Sequence, residues 1–131
     1  MRFFFYIFLI ILPLTSFSKE EFSEQKKINN LLEVIRTSDV TFIRNGDEHS
    51  SQEAYRHLQR KLKAAQGSWF SPPKEEWTAI LFIEKVASGS SLSGRPYLVR
   101  TNDGKTIEAK SWLEKKLDEL ENKKELSKDL E

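Results

Sequence analysis

The sequence contains no cysteine, and this absence removes several kinds of site at once. Disulfide bonds, thiolate metal sites, a cysteine nucleophile and the lipid-attachment cysteine of bacterial lipoproteins are all excluded within these 131 residues. Small exported domains often use disulfides to supplement a limited core. A domain built from this sequence must therefore be held together by packing alone.

The sequence also has little net charge. Its 21 lysines and arginines nearly balance its 20 aspartates and glutamates, and the formal net charge is +1. Proteins that bind nucleic acid through its phosphates need a basic excess, so we expect no nucleic-acid partner. Glycine and proline are few and 38% of the residues are hydrophobic, which is typical of one folded domain and not of a disordered chain.

Long hydrophobic runs are absent, but a short one lies near the N-terminus. Residues 3–12 are all apolar, and this run is too short to cross about 30 Å of hydrocarbon as a helix. Ser16 and Ser18 place small residues where signal peptidase requires them, ahead of the charged segment 19–21. We predict a signal peptide cleaved after Ser18, a periplasmic or secreted protein, and no stable membrane span after cleavage. An uncleaved N-terminal anchor is the alternative.

The rest of the chain alternates helical and extended patterns. Apolar residues spaced three and four apart predict helices over 20–38, 50–65 and 111–120, and a strand pattern covers 40–43. The apolar run 77–83 fits a buried strand by periodicity, but its length and the Pro/Glu start favour a helix over 73–87. A hairpin is predicted from 97–101 and 106–108 around an Asn-Asp-Gly turn.

These elements predict an α+β domain with about four helices packed on a small antiparallel sheet, in the order helix, strand, helix, helix, hairpin, helix. The expected domain covers 19–120, and 121–131 is expected to be a charged, frayed tail. Ser50 with Glu53, and Ser111 with Glu114, have capping-box spacing.

The three tryptophans are expected to differ in exposure. Trp77 and Trp112 fall on apolar helix faces and are expected in the core. Trp69 stands beside Phe70 in a proline-containing loop and is the candidate for an exposed partner-binding ring.

A polar segment follows the first predicted strand. Arg44 offers a fork of donors suited to carboxylate or phosphate, and Asn45 begins a turn that leads to a helix N-terminus. His57 and Lys61 lie four residues apart on one face of that helix, so His57 is a candidate base or proton switch, or a hydrogen-bonded residue at the core edge. His49 and His57 have no third ligand, so we predict no metal or other cofactor.

A loop rich in glycine and serine spans 88–96. Gly89 and Gly94 copy part of the spacing of a phosphate-binding loop, but an arginine and a proline stand where Lys and Ser/Thr are needed, which excludes a nucleotide loop. Its hydroxyls either contact a ligand or hydrogen-bond the loop backbone. The candidate contacts from this part of the chain are Ser90, Ser91, Ser93, Arg95 and Tyr97.

Short blocks in a fixed order carry a family resemblance. The blocks are 41–46, Ala54, 57–58, Lys61, 82–83, 87–91 and 93–99. Over about 28–117 the chain resembles the YfeK-like family of small exported bacterial proteins, a family built on a domain of unknown function. The resemblance implies a single domain exported to the bacterial envelope, and it implies no reaction, ligand or catalytic residue.

Three functions are compatible with these observations. The first is a non-catalytic exported module that binds a small ligand or an envelope protein through the Arg, His and Ser cluster. The second is a small envelope hydrolase in which Ser90, Ser91 or Ser93 is the nucleophile and His57 the base. The third is a structural or assembly partner that binds through Trp69 and Phe70. No catalytic motif is present, so the sequence favours a protein that is not an enzyme.

Cleavage after Ser18 gives a mature chain that begins at Lys19. We expect intact-mass measurement of protein exported from cells that express the full chain to give the mass of 19–131. Ser18→Tyr places a bulky residue where a small one is required and should leave the precursor uncut. A mature chain that begins elsewhere, or a precursor that is never cut, contradicts this prediction.

Overall fold

A computed structural model describes the backbone of residues 17–128 and the side chains of 24–127. The predicted signal run 3–12 and Ser16 lie outside the described residues, so cleavage after Ser18 stays a prediction. No helix within 17–128 combines the length and hydropathy that a membrane span requires.

Four helices and one antiparallel sheet make up the described chain, which confirms the predicted α+β class and element order. The elements are α1 (Phe17–Thr37), β1 (Thr41–Arg44), β2 (Asp47–His49), α2 (Ser51–Gln66), a 3₁₀ turn (Lys74–Glu76), α3 (Ala79–Phe82, continued by a π-helical turn, Ile83–Ala87), β3 (Leu98–Arg100), β4 (Thr106–Glu108) and α4 (Ala109–Lys128).

The sheet has the strand order β2-β1-β3-β4, and every neighbouring pair is antiparallel. Strand β2 is an addition to the predicted elements. Asn45 (φ 52°) and Gly46 (φ 84°) both have positive φ, which gives a tight two-residue hairpin turn and pairs Arg44 with Asp47. The polar segment after β1 is therefore an edge strand, and it sets the position of His49 beside α2.

The core lies between one face of the sheet and the helices. Phe42 of β1 and Val99 of β3 are paired neighbours, and both are buried. They join a cluster with the predicted apolar stripes of α1 and α2. Trp77 and Trp112 are 3% and 7% exposed, so both are core residues as expected, and the Trp112 ring meets Phe42 edge to face at 5.8 Å.

The helix ends confirm one predicted cap and correct another. The Glu53 amide donates to Ser50 Oγ (3.2 Å) and the Ser50 amide donates to Glu53 Oε2 (3.2 Å), which completes a capping box on α2. The predicted cap at Ser111 is wrong: α4 begins at Ala109, directly after β4, where the Ala109 amide donates to the Tyr97 carbonyl (2.9 Å).

The third predicted helix is shorter than its pattern suggested. A separate 3₁₀ turn covers Lys74–Glu76, and the helix proper begins at Ala79 with Thr78 as its N-cap. Glu24 of α1 accepts a hydrogen bond from the Ala79 amide (2.9 Å), which fixes the start of α3 against α1. Helix α4 continues to Lys128, and its side chains are exposed over residues 122–127.

The capping box at Ser50 stabilises the helix that carries His57 and Lys61. We expect Ser50→Ala to lower the free energy of unfolding by about 1 kcal/mol, because the Glu53 amide loses its acceptor. Gln52→Ala, an exposed position in the same helical turn, is the matched control and should change stability by less than about 0.5 kcal/mol. Equal effects of the two variants in urea unfolding contradict a specific role for the cap.

Candidate functional site

A cavity of about 510 Å³ opens where the end of β1, the middle of α2 and the 88–96 loop meet; we call it the outer cavity. Of the residues singled out from the sequence, the following line it: Arg44, Asn45, His57, Lys61, Ser90, Ser91 and Tyr97. The fold thus brings together segments that are up to 53 positions apart, between Arg44 and Tyr97.

Two of the predicted residues do not line the outer cavity. Ser93 Oγ donates to Asn45 Oδ1 (2.6 Å) and accepts from the Arg95 amide (3.3 Å), so Ser93 joins the loop to the hairpin turn. Arg95 takes part through its backbone, because its carbonyl accepts from the Ser90 amide (2.9 Å), while its side chain is exposed. Both residues therefore contribute to the shape of the loop.

A chain of polar contacts forms the floor of the outer cavity. Arg44 Nη1 lies 2.9 Å from His57 Nδ1, and His57 Nε2 lies 3.1 Å from the Tyr97 hydroxyl. Lys61 Nζ donates to the same hydroxyl (3.2 Å) and also to the Gly89 carbonyl. The Lys61 ammonium also lies 4.8 Å from the centre of the Tyr97 ring.

One assignment of protons accounts for the 2.9 Å and 3.1 Å contacts of His57, and in this assignment Arg44 Nη1, which also lies 3.2 Å from His57 Nε2, does not donate to that nitrogen. A neutral imidazole has one donor and one acceptor, and an arginine can only donate. Arg44 then donates to His57 Nδ1, and His57 Nε2–H donates to the Tyr97 oxygen, which also accepts from Lys61. The Tyr97 hydroxyl proton is not used in these contacts, so Tyr97 can donate it to a ligand.

Burial and the nearby positive charges together keep His57 neutral at neutral pH. Burial is the largest cause that lowers the pKa of His57 from 6.5 to about 4, and the positive charge of Arg44 is the next. Lys61 and then Arg60 lower it further. Burial, followed by Arg44, also lowers the pKa of Lys61, and burial raises the pKa of Tyr97. At neutral pH the site therefore presents N–H and O–H donors.

The cations of the outer cavity are not neutralised by neighbouring carboxylates. Arg44, Arg60 and Lys61 all line it, and no ion pair involves any of them in the described part of the chain. Asp47 is the single acid in its lining. Concentrated positive charge facing solvent is suited to an anion.

Arg60 is the functional candidate that the sequence interpretation missed. It stands three residues after His57 and next to Lys61, and this spacing puts it close to the same helix face. An arginine in an amphipathic helix is usually part of the solvated face, so the residue type alone did not identify Arg60 as a site residue. The helical spacing from His57 was the available clue.

A second cavity, partly open to solvent, adjoins the polar floor. It measures about 270 Å³, lies between β1, α2 and the start of α4, and we call it the inner chamber. Its apolar lining consists of Phe42, Ile43, Ala54, Leu58, Ala87, Ala109 and Leu113. Its polar lining consists of Arg44, His49, Glu53, Arg56, His57, Arg60 and Tyr97. Four of the polar residues also line the outer cavity: Arg44, His57, Arg60 and Tyr97.

The serine–histidine pair that the hydrolase alternative requires is not formed among the described residues. No serine of the 88–96 loop forms a hydrogen bond with His57 in the described structure. His49 Nδ1 lies 3.3 Å from Glu53 Oε2, and no group of three or more side chains that could hold a metal ion occurs among the described residues.

The aromatic loop after α2 lies apart from both cavities. Trp69 and Phe70 are 92% and 93% exposed, as the sequence suggested for Trp69. Neither ring lines the outer cavity or the inner chamber. A binding role for this pair stays a prediction.

Comparison with known proteins shows the family to which the chain belongs. A family of unknown function (DUF5329) matches residues 22–121, and the chain belongs to this family. The matched segment includes both cavities. The protein is also 37% identical over 89 residues to the uncharacterised protein YfeK of Salmonella typhimurium, an alignment that covers 67% of this chain and 68% of that protein. No solved structure matches the chain significantly.

The neutral state of His57 can be measured directly. We expect its ring resonances to titrate with a midpoint of about 4 in place of 6.5. Arg60→Gln removes a nearby positive charge and should raise that midpoint, whereas Lys63→Gln, on the exposed side of α2, should not. A midpoint near 6.5 in the unaltered protein contradicts the assigned environment.

The same pKa shift makes stability depend on pH. Because the folded-state pKa is depressed, the unfolded chain takes up the proton first as the pH falls below 6.5. The His57 contribution to stability is fully present above pH 6.5, decreases between 6.5 and about 4, and levels off below that. The free energy of unfolding, measured in urea for the protein and for His57→Gln, should change with pH at different rates only between pH 6.5 and about 4.

Proposed function

We propose that the protein is an exported, non-catalytic module that binds a small carboxylate or phosphate anion in the outer cavity. The observation that carries this proposal is the set Arg44, Arg60 and Lys61, which line one open cavity without an ion pair in the described chain. An anion in this position would receive several charge-assisted hydrogen bonds.

The polar floor supports binding because its side chains are already held in place, as well as because they are charged. Arg44 is oriented by His57, and Lys61 is oriented by Gly89 and Tyr97, so neither long side chain needs to be immobilised when a ligand arrives. The Tyr97 hydroxyl adds a neutral donor between them. Donors held in place before binding lose less conformational entropy on binding.

The geometry favours binding over hydrolysis. A general base works best when its pKa lies near the operating pH, and the pKa of His57 is about 4. Its nitrogens contact Arg44 and Tyr97, and no serine hydroxyl is bonded to either nitrogen within residues 24–127. His57 therefore serves this proposal as a neutral positioning residue for Arg44 and Tyr97.

Export is part of the proposal because the signal pattern at 3–18 supports it. The near-neutral composition is consistent with a local anion site and not with a general polyanion binder. The ligand is thus expected to be a small anion of the bacterial envelope and not a nucleic acid.

Anion titration at constant ionic strength tests the site. We expect acetate or inorganic phosphate to cause saturable NMR shifts at Arg44, Lys61 and Tyr97. Arg60→Gln should weaken that binding about fivefold, because it removes one charge from the cavity wall. Arg60 is exposed and forms no ion pair within the described structure, so its replacement should leave the fold intact.

Lys63→Gln is the matched control, since Lys63 is on the same helix, is exposed and lines neither cavity. Its affinity for the anion should equal that of the unaltered protein. If both variants weaken binding equally, the effect is general screening and the proposed site is wrong. The absence of saturable shifts for both anions would also refute it.

A further inference from the structure

The inner chamber is a pocket that is partly open to solvent and is lined by seven apolar and seven polar residues. An apolar cavity of about 150 Å³ is already large enough to hold a benzene molecule. The inner chamber measures about 270 Å³, and Phe42, Leu58 and Leu113 in its wall are 8%, 5% and 1% exposed. A cavity of this size and lining is suited to an apolar group.

The inner chamber shares its polar wall with the outer cavity. Arg44, His57, Arg60 and Tyr97 line both spaces. A single ligand that enters the chamber from solvent can therefore place an anionic head against Arg44 and Arg60 and an apolar group among Phe42 and Leu58. Neither a plain inorganic anion nor a plain hydrocarbon would use both kinds of lining.

We infer that the ligand is an amphiphilic organic anion, a carboxylate that carries one compact acyl or aryl group, with that group inside the inner chamber. This inference rests on the anion site proposed above and adds the chemistry of the rest of the molecule. The head lies at Arg44 and Arg60, and the apolar group contacts Phe42, Leu58 and Leu113.

The defining comparison uses octanoate, acetate and octanol as probes of the protein obtained by expressing the full chain. We expect octanoate to bind at least about tenfold more tightly than acetate, because each buried methylene adds favourable transfer free energy. Octanol, which lacks the charge, should bind more weakly than octanoate. 3-Phenylpropionate in a parallel titration distinguishes the two sources of the apolar group: whichever of the two acids binds more tightly identifies it as acyl or aryl.

A chamber-filling variant locates the apolar group. Ala54 lines the inner chamber and is 8% exposed, so Ala54→Leu should reduce octanoate affinity to the level of acetate and leave acetate binding unchanged. Ala64→Leu makes the same change on the exposed side of α2 and should leave both affinities as they are. If Ala54→Leu does not fold, the methyl resonances of Leu58 and Leu113 in the unaltered protein decide: they should shift with octanoate and not with acetate.

The outcomes separate this inference from the function on which it rests. Equal binding of octanoate and acetate, with no shift at Leu58 or Leu113, overturns the amphiphile and leaves the anion site standing. Octanol binding as tight as that of octanoate also overturns it, because the charge would then play no part. If acetate, phosphate and octanoate all fail to bind, the anion site itself is refuted.

Discussion

Tyr97 is the residue on which the arrangement of the site depends. It is 8% exposed, its amide donates to the Ser88 carbonyl (3.0 Å), and its carbonyl accepts from the first residue of α4 (2.9 Å). Its hydroxyl contacts His57 and Lys61 on α2. One side chain and its backbone thus tie the 88–96 loop, the approach to β3, and two helices to one point. Lys61 and, through His57, Arg44 are held in position by this point.

The helices and the main strands followed from local patterns. The stripes in α1 and α2 are long and strongly periodic, and the buried pair Phe42 and Val99 lies in segments rich in β-branched and aromatic residues. The sequence also predicts that Arg44, His57 and the Ser90 region form one cluster. Each of these residues stands at a strand end, on a helix face or in a loop, so the element order largely determines which of them meet.

Other features depend on tertiary contacts that leave little trace in the sequence. Strand β2 consists of Asp47, Glu48 and His49, which have no apolar alternation, and only pairing with β1 makes this segment a strand. The spacing of Ser111 and Glu114 occurs inside α4, because β4 leads directly into that helix. The inner chamber is formed by packing between elements, so no local sequence pattern predicts it.

Helix α2 carries residues of both cavities, with Ala54 and Leu58 in the inner chamber and Lys61 in the outer cavity. Arg44, His57, Arg60 and Tyr97 line both cavities, so a molecule that shifted one of these side chains from one cavity would change the shape of the other. If ligands bound on both sides, thermodynamic linkage would require each to change the affinity of the other by the same factor.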